Sequence, residues 1–552
     1  MISNRRYWFL LLLIVVAYLA GMFATLLEND SAQFAVMAMR MFQENDFINL
    51  FKGPNEYLDK PHMHYWMAAL SYKVFGLCDW AYRIPAILAT LLGAFSCYGL
   101  GKLLYNSDTG RLAALVFMTA QTIMLSVIDV RTDAILTGST IFAIWQLAGY
   151  IEKKKLYHII LGAIGTGIAF STKGQIALLV IGLPLLCHLA YTRKWNRFLS
   201  WKVLVALLVF GLTIAPMLYA YYQQFDLHPE KVIRGQANRS GIFFIFWEQS
   251  FERMSGEGIG KNSSDYFFFF HTFLWVFLPW TVIAIFGIID RVKNLFKLKF
   301  AYRPQYEFLT LGGIILIFII ISFAQFKLPH YLNIAIPLFS VLTAAYLHDL
   351  QQLFKERTLK ILLCVQYIIL GIVFIASVLI AFYVFKFDNP WHYVWMASMM
   401  ALGVGYSLKR EGEFYRIITV SAFAAIILNM IMNIHFYPSL LKYQAGSEMA
   451  KVIQKQHIPT DKIYKLSEKH TWSMDFYNQN PVNISSISDI KGKKDIWVYA
   501  TDAELAALKT NGFDWDKHYT KADFRITRLQ KKFLDPATRK KVLRKMHLIH
   551  IY

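Results

Sequence analysis

The chain is short of charge. Only 17% of its 552 residues are Asp, Glu, Lys or Arg, against 56% that are apolar, and its mean hydropathy is +0.38. Water-soluble domains run at about 45–50% apolar and about 25% charged residues, so the composition counts against a wholly soluble enzyme. Cysteine is equally scarce: Cys78, Cys97, Cys187 and Cys364 are the complete set. None falls in the polar C-terminal stretch and three lie in apolar runs, which leaves no disulfide framework or zinc ribbon to be read. Acidic residues are outnumbered 36 to 57 by Lys and Arg, for a net charge of +21. That sign raises nucleic acid as a partner, but basic residues of a polytopic membrane protein gather in cytoplasmic loops, so their placement decides. No internal repeat or low-complexity tract stands out.

What the chain has is hydrophobic length. Tyr7 to Leu27 follows Arg5 and Arg6, carries no charge and ends in Leu-Leu-Glu-Asn-Asp instead of a small-residue cleavage site. It reads as an uncleaved first span with a cytoplasmic N-terminus. Apolar runs follow at about 85–104, 111–128, 134–151, 157–172, 175–191, 202–221, 268–289, 308–325, 332–348, 360–384, 391–407 and 416–435. With the first they make about thirteen spans, each near the ~20 residues that a bilayer demands. The inner connections then carry Lys102; Lys153, Lys154 and Lys155; Arg193, Lys194 and Arg197; Arg291, Lys293, Lys297, Lys299 and Arg303; Lys355 and Arg357; and Lys409 and Arg410. Every even-to-odd connection is basic, and the odd count sets the C-terminal region outside.

Two outer stretches, 28–84 and 222–267, are too long for turns and are expected to carry function. Residues 1–438 thus read as a membrane domain. Residues 439–552 read as a small extracytoplasmic α/β domain with about +9 of the net charge. Strands are predicted at Lys462–Leu466 and Asp495–Ala500, and helices at Gly446–Lys455 and Asp502–Lys509.

Ionisable residues at the outer ends of the spans are informative, because a charge at mid-membrane costs ~2.5–3.5 kcal/mol on insertion scales. Asp30, in Glu28-Asn29-Asp30-Ser31, leads into an amphipathic stretch, Phe34–Phe42, suited to the membrane interface. It either caps that helix or serves chemistry. Lys60 is held extended by Pro61, and either snorkels among its aromatic neighbours or presents an ammonium group to a ligand. Asp133 opens the fourth span, with Arg131 beside it as an ion-pair partner, and is a second carboxylate on the side of Asp30. Further outer cations are Lys173, Arg253 and Lys327, each alone an interfacial anchor. Together, two carboxylates and several cations at one membrane face suit a reaction between a lipid-linked phosphate and a second substrate. The cations would neutralise the phosphate and a carboxylate would assist the nucleophile.

The order of these motifs resembles the bacterial members of a superfamily of membrane glycosyltransferases with the GT-C fold. The superfamily includes lipid A aminoarabinose transferase and the dolichyl-phosphate-mannose protein mannosyltransferases. The residues that carry the resemblance are Glu28-Asn29-Asp30 before Phe34-Ala35, Lys60-Pro61-His62-Met63-His64-Tyr65-Trp66, Phe75-Gly76 and Arg83-Ile84-Pro85. Later signals are Asp133, Thr172-Lys173-Gly174, Pro279-Trp280 and Lys327-Leu328-Pro329-His330-Tyr331. Two departures stand out: Ser31 replaces the second acid of an Asp-Glu pair, and His62 replaces the second proline of the lysine motif.

The resemblance implies a polytopic α-helical GT-C protein with amphipathic periplasmic loop helices, set in the bacterial inner membrane with its C-terminal domain in the periplasm. It implies a polyprenyl-phosphate sugar donor, an extracytoplasmic site and inverting transfer to a lipid, glycan or protein acceptor. On this reading Asp30 and Asp133 are the catalytic carboxylates. Lys60, with Arg83, Arg253, Lys327 and Tyr331, binds the donor phosphate, and Arg131, Lys173 and His62 give support. No cofactor motif is present, and a divalent metal stays open, since His62, His64, His271 and His330 are predicted outside without ligand spacing. The rivals are a transporter or flippase and a catalytically inactive lipid-glycan-binding protein. A carrier places its charges near mid-membrane, often in two related halves, which this chain does not do. Nucleic acid is not expected as a partner.

Overall fold

The computed structural model of the chain describes residues 4–249, 251–252, 265–303, 306–409 and 411–552. Each of the thirteen predicted apolar runs falls on a helix or a broken pair of helices, as the need to satisfy every backbone group inside lipid requires. Among the described residues, eight helices are long and apolar enough to cross a membrane. A ninth results if Ser107–Thr119 and Gln121–Ile128, bent by 53°, form one span. The shortfall against thirteen has local causes. Leu309–Phe323 is short, and the run at 268–289 is interrupted between Phe268–Val276 and Thr281–Lys297.

Close packing of small residues sets the centre of the bundle. A Cβ built on Gly138 would stand 2.2 Å from the Ala89 carbonyl oxygen, and one on Gly110 would stand 2.4 Å from that of Tyr98. Helix Asp79–Leu104 is thereby held against both Ser107–Thr119 and Asp133–Lys153, the use of small residues expected where lipid supplies no hydrophobic drive between helices.

The basic connections collect at one end. There Arg6 pairs with Glu411, and Arg111 donates to the Asn4 side chain at 3.0 Å. Arg291 donates to Asp349 at 2.7 Å, and Arg197 to the Ile151 carbonyl at 2.9 Å. The opposite end carries the long loops and the C-terminal domain.

Helices Asp30–Gln43 and Met63–Phe75 flank a hairpin of β1 (Phe51–Lys52) and β2 (Asn55–Glu56). The interfacial reading of Phe34–Phe42 needs correction here. Ser31 to Met39 are all buried, because Met63–Phe75 lies on one side of this helix and Trp472 and Phe476 of the C-terminal domain lie on another.

The C-terminal domain has strands β3 (Ile463–Lys465), β4 (Asn483–Ile484), β5 (Ile496–Thr501), β6 (Lys517–Asp523) and β7 (Arg544–Ile551), in the order β4-β3-β5-β7-β6. β3 runs parallel to β4 and β5, and β7 is antiparallel to both its neighbours. Helices Ala445–Lys455 and Asp502–Thr510 lie where the sequence places them; Thr501 and Glu504 form a reciprocal capping box at the start of the second.

Glu28 docks this domain on the bundle. Its Oε2 accepts from the Ser473 amide at 3.1 Å and from the Ser473 hydroxyl, and its amide donates to Gln444 Oε1 at 2.7 Å. Tyr477 adds a second link, accepting from the Leu26 amide at 2.9 Å and donating to Asp79 at 3.2 Å. Burial pushes the Glu28 carboxyl up to about 7, against the opposing Ser473 bonds, and pushes that of Asp475 up to about 6. A carboxyl whose pKa is raised by folding favours the folded state only while protonated, so stability falls as pH rises from its ordinary value toward the raised one. The full chain is therefore expected to melt at a lower temperature at pH 8 than at pH 5. Glu28→Gln should flatten that slope, as thermal unfolding in detergent will show.

Candidate active site

Two acidic clusters lie at the domain end of the bundle. Asp30 is the first residue of its helix, not its cap, since Asn29 precedes it at φ +96°. The Asp30 carboxylate accepts from Arg131 Nη1 at 2.8 Å. Arg131 turns its other edge to Asp129, with Nε and Nη2 at 3.1 and 2.9 Å from Oδ2. Burial works against the guanidinium's charge, but Asp129 and Asp30 outweigh it and hold the pKa above the ordinary arginine value.

Asp133 opens the helix Asp133–Lys153, and its side chain is 4% exposed. Its Oδ1 accepts from Lys173 Nζ at 2.7 Å and its Oδ2 lies 3.7 Å from His330 Nε2. Both partners suit helix ends: the acid sits at a helix N-terminus, and Lys173 is the last residue of Leu156–Lys173. The Lys173 ammonium also lies 4.7 Å from the centre of the Tyr331 ring. Lys60 is near enough to bring its charge to bear on His330, and its loop is anchored next door, where Gln249 Nε2 donates to the Asp59 carbonyl at 2.6 Å and Arg234 pairs with the Asp59 carboxylate. The structure therefore draws Asp30, Lys60, Arg131, Asp133, Lys173 and Tyr331 to one region.

Apolar spaces adjoin these charges. A cavity of about 110 Å³ beside Lys173, Gln249 and Tyr331 is walled by Leu136, Ile176, Leu179 and Phe326. A wider groove of about 940 Å³ runs between Phe270, Leu274, Ile315, Ile319 and Phe323, with Tyr266 and His271 also on its wall. Lys327 Nζ stands 5.4 Å from the centre of the Tyr266 ring. Among the described residues no group of three or more His, Cys, Asp or Glu is placed to hold a metal ion.

The chain is similar to known proteins in sequence and in fold. Residues 59–219 match the dolichyl-phosphate-mannose-protein mannosyltransferase family. The fold superposes on the crystal structures of ArnT from Cupriavidus metallidurans with a TM-score of 0.74. In the apo form this covers 100% of this chain and 98% of that one at 17% identity. The second structure, determined with undecaprenyl phosphate bound, gives the same score at 16% identity. The chain therefore has the fold of ArnT. Among curated proteins it is 25% identical over 405 residues to undecaprenyl phosphate-alpha-4-amino-4-deoxy-L-arabinose arabinosyl transferase 2 of Proteus mirabilis, covering 72% of this chain and 69% of that one. The corresponding transferase of Yersinia pestis is 26% identical over 367 residues, 64% of this chain and 61% of that one. The match thus spans less than two thirds of the Yersinia protein.

Some predicted residues are placed otherwise. Arg83 is turned into the protein interior. It is fully buried and spends its donors on backbone carbonyls: Ile128 at 3.2 and 3.1 Å, Met22 at 3.1 Å, Thr25 at 3.4 Å, and Ala24. It ties the end of the first helix to the end of Gln121–Ile128, where those carbonyls have no helical partner. His62 is also turned away; its Nε2 meets the Ile48 carbonyl at 2.7 Å and its ring packs on Trp66 and Tyr221. Burial holds its pKa down, at about 4. Lys327 lies beside Tyr266, at the wall of the wide groove, and Arg253 falls outside the described residues.

Asp129 and His330 are site neighbours that sequence reasoning did not select. Their signals were the spacing Asp129-x-Arg131 and the place of His330 inside the Lys327–Tyr331 motif. His64 and Tyr82 underlie the cluster, with His64 Nε2 3.0 Å from Tyr82 Oη and Tyr82 donating to the Val130 carbonyl at 3.2 Å. Since Arg83 is structural, Arg83→Met should leave several buried carbonyls unsatisfied at ~1–3 kcal/mol each. Thermal melting and yield should drop sharply.

Proposed function

We propose that the chain moves a sugar from a polyprenyl-phosphate donor to a lipid A-type acceptor at the outer face of the bacterial inner membrane. The observation that carries this reading is the neighbourhood of carboxylates and cations beside apolar spaces large enough for lipid. The names of the relatives point the same way: the curated ones are undecaprenyl-phosphate aminoarabinose transferases, and ArnT has been solved with undecaprenyl phosphate bound. The basic end of the bundle faces the cytoplasm by the positive-inside rule, which sets the site and the C-terminal domain in the periplasm.

On this reading the donor's isoprenoid tail lies in the wide apolar groove and its phosphate meets Lys60, with Lys327 as a further cation. The acceptor oxygen attacks the anomeric carbon from the face opposite the phosphate. The bond from that carbon to the phosphate oxygen breaks, and the electron pair leaves on the polyprenyl phosphate. A cation fixed where that charge grows stabilises the transition state more than the ground state, and a phosphate leaves without a strong general acid. Asp30 orients the acceptor, and deprotonates it where it is a hydroxyl, an assistance of ~10²- to 10⁴-fold. Asp133, neutralised by Lys173, holds His330 and Tyr331 at the edge of the donor site.

Asp30→Asn and Lys60→Ala are each expected to reduce transfer from undecaprenyl phosphate-aminoarabinose at least a hundredfold without lowering the melting temperature. Full activity in either variant would remove that residue from the mechanism. Mass spectrometry of envelope lipids from cells with and without the gene should show one sugar-sized mass difference on the acceptor. Its absence from every envelope lipid would overturn the proposed acceptor class.

A further inference from the structure

The positive charge of the C-terminal domain is concentrated in one stretch. Residues 525–545 carry nine Lys and Arg against a single acid, Asp535, and so hold nearly all of the domain's net charge of about +9. Arg528, Lys531, Lys532, Lys540, Lys541 and Lys545 are all exposed, and none of these six side chains makes an ion pair or hydrogen bond to another described residue. The one acid is engaged elsewhere: Asp535 Oδ1 accepts from the Tyr383 hydroxyl at 2.9 Å and from the Ala537 amide at 3.0 Å.

Contacts with the end of a membrane span fix where this stretch lies. Helix Glu356–Val384 is long and apolar enough to cross a bilayer, and most of its surface is left uncovered by the rest of the protein. At its domain end Tyr383 donates to Asp535, and Arg539 donates to the Val384 carbonyl with its guanidinium 4.5 Å from the centre of the Phe385 ring. Phe533 is fully buried in the same joint, its ring centre 6.4 Å from that of Phe385. Beside the joint Phe382 and Tyr383 are exposed, as is Trp391 at the start of the next helix, Trp391–Ser407. Exposed Tyr and Trp at the end of a span mark the level of the membrane–water interface. The stretch 525–545 is thus pinned at that level by Phe533 and Arg539, while its lysines stay uncommitted.

We infer that residues 525–545 form a lipid-binding surface that takes the headgroups of anionic phospholipids on the domain side of the bilayer. Charge and position select this partner together. Each Lys or Arg near an anionic membrane surface contributes about fivefold to the attraction, which falls off within a Debye length of about 8 Å, and the joint with Tyr383 and Val384 keeps the cations beside the headgroups. The domain is then held at a second place besides the Glu28–Ser473 contact, and its seating on the membrane depends on lipid charge. The inference needs no transfer chemistry, so it stands or fails apart from the function proposed above.

The test uses the full-length protein in nanodiscs of equal parts phosphatidylglycerol and phosphatidylcholine, with the photocrosslinking residue benzoylphenylalanine in place of Leu529, which is exposed among the cations. Mass spectrometry reads which lipid is captured. Phosphatidylglycerol adducts should exceed phosphatidylcholine adducts at least fivefold. The preference should vanish at high salt and in the variant Lys531→Gln/Lys532→Gln/Lys540→Gln/Lys541→Gln, whose exposed side chains leave the fold intact. The same probe in place of Trp391 should capture lipid equally well in parent and variant, which shows that both sit normally in the bilayer. Absence of lipid adducts at 529, equal capture of the two lipids there, or a preference that the four substitutions leave unchanged would each overturn the inference. Capture of a glycan or a protein at 529 in place of lipid, in membranes from cells, would overturn it as well.

Discussion

The domain end of this molecule is organised around one guanidinium. Arg131 bridges Asp129, which follows Gln121–Ile128, and Asp30, which opens the next loop helix. A buried charge without a partner is costly, and removing one member of a buried pair typically costs several kcal/mol. The bridge thus fixes where Asp30 stands relative to the bundle. Two residues beyond Arg131, Asp133 forms a second, locally neutral pair with Lys173 on a different helix. Between them these contacts hold the carboxylates of Asp30, Asp129 and Asp133 by Arg131 and Lys173.

The second constraint is the reversal at Asn29. Glu28 and Asp30 are two residues apart, yet one carboxylate points into the C-terminal domain and the other to Arg131. The φ of +96° at Asn29 marks the turn between them, after which the helix begins at Asp30. Docking of the domain and placement of Asp30 are consequently two ends of the same three-residue turn. Any change that loosens Glu28 from Ser473 acts on the position of Asp30 without touching the ions of the site.

Much of the fold was legible in the sequence because its signals are long and redundant. Thirteen apolar runs mark helices, and the basic connections that alternate between them meet at one end through Arg6, Arg111, Arg197 and Arg291. The C-terminal strands and helices showed in short alternations and in a capping sequence. The site was legible where chemistry is written in single residues: Asp30, Lys60, Asp133 and Lys173 come together from distant segments. It was not legible for Arg83, since a conspicuous arginine at a helix start looks the same whether it meets a phosphate or the carbonyls of a neighbouring helix end. Nor could the burial of Asp30–Gln43 be foreseen, because the surface that covers it lies more than 400 residues further along the chain.

The two kinds of basic residue divide the work at this end according to their geometry. Arg83 and Arg131 each offer a planar fork of fixed donors, and those forks are filled by backbone carbonyls in one case and by two carboxylates in the other. Such saturated forks suit permanent joints. A phosphate that arrives on a lipid and departs after transfer needs a partner that can follow it, and lysine provides three rotatable donors on a flexible stem. On the proposed function, Lys60 and Lys327 are the lysines given to the donor phosphate. The charges that fix the shape of this end, on Arg83, Arg131 and the Asp133–Lys173 pair, are satisfied within the protein.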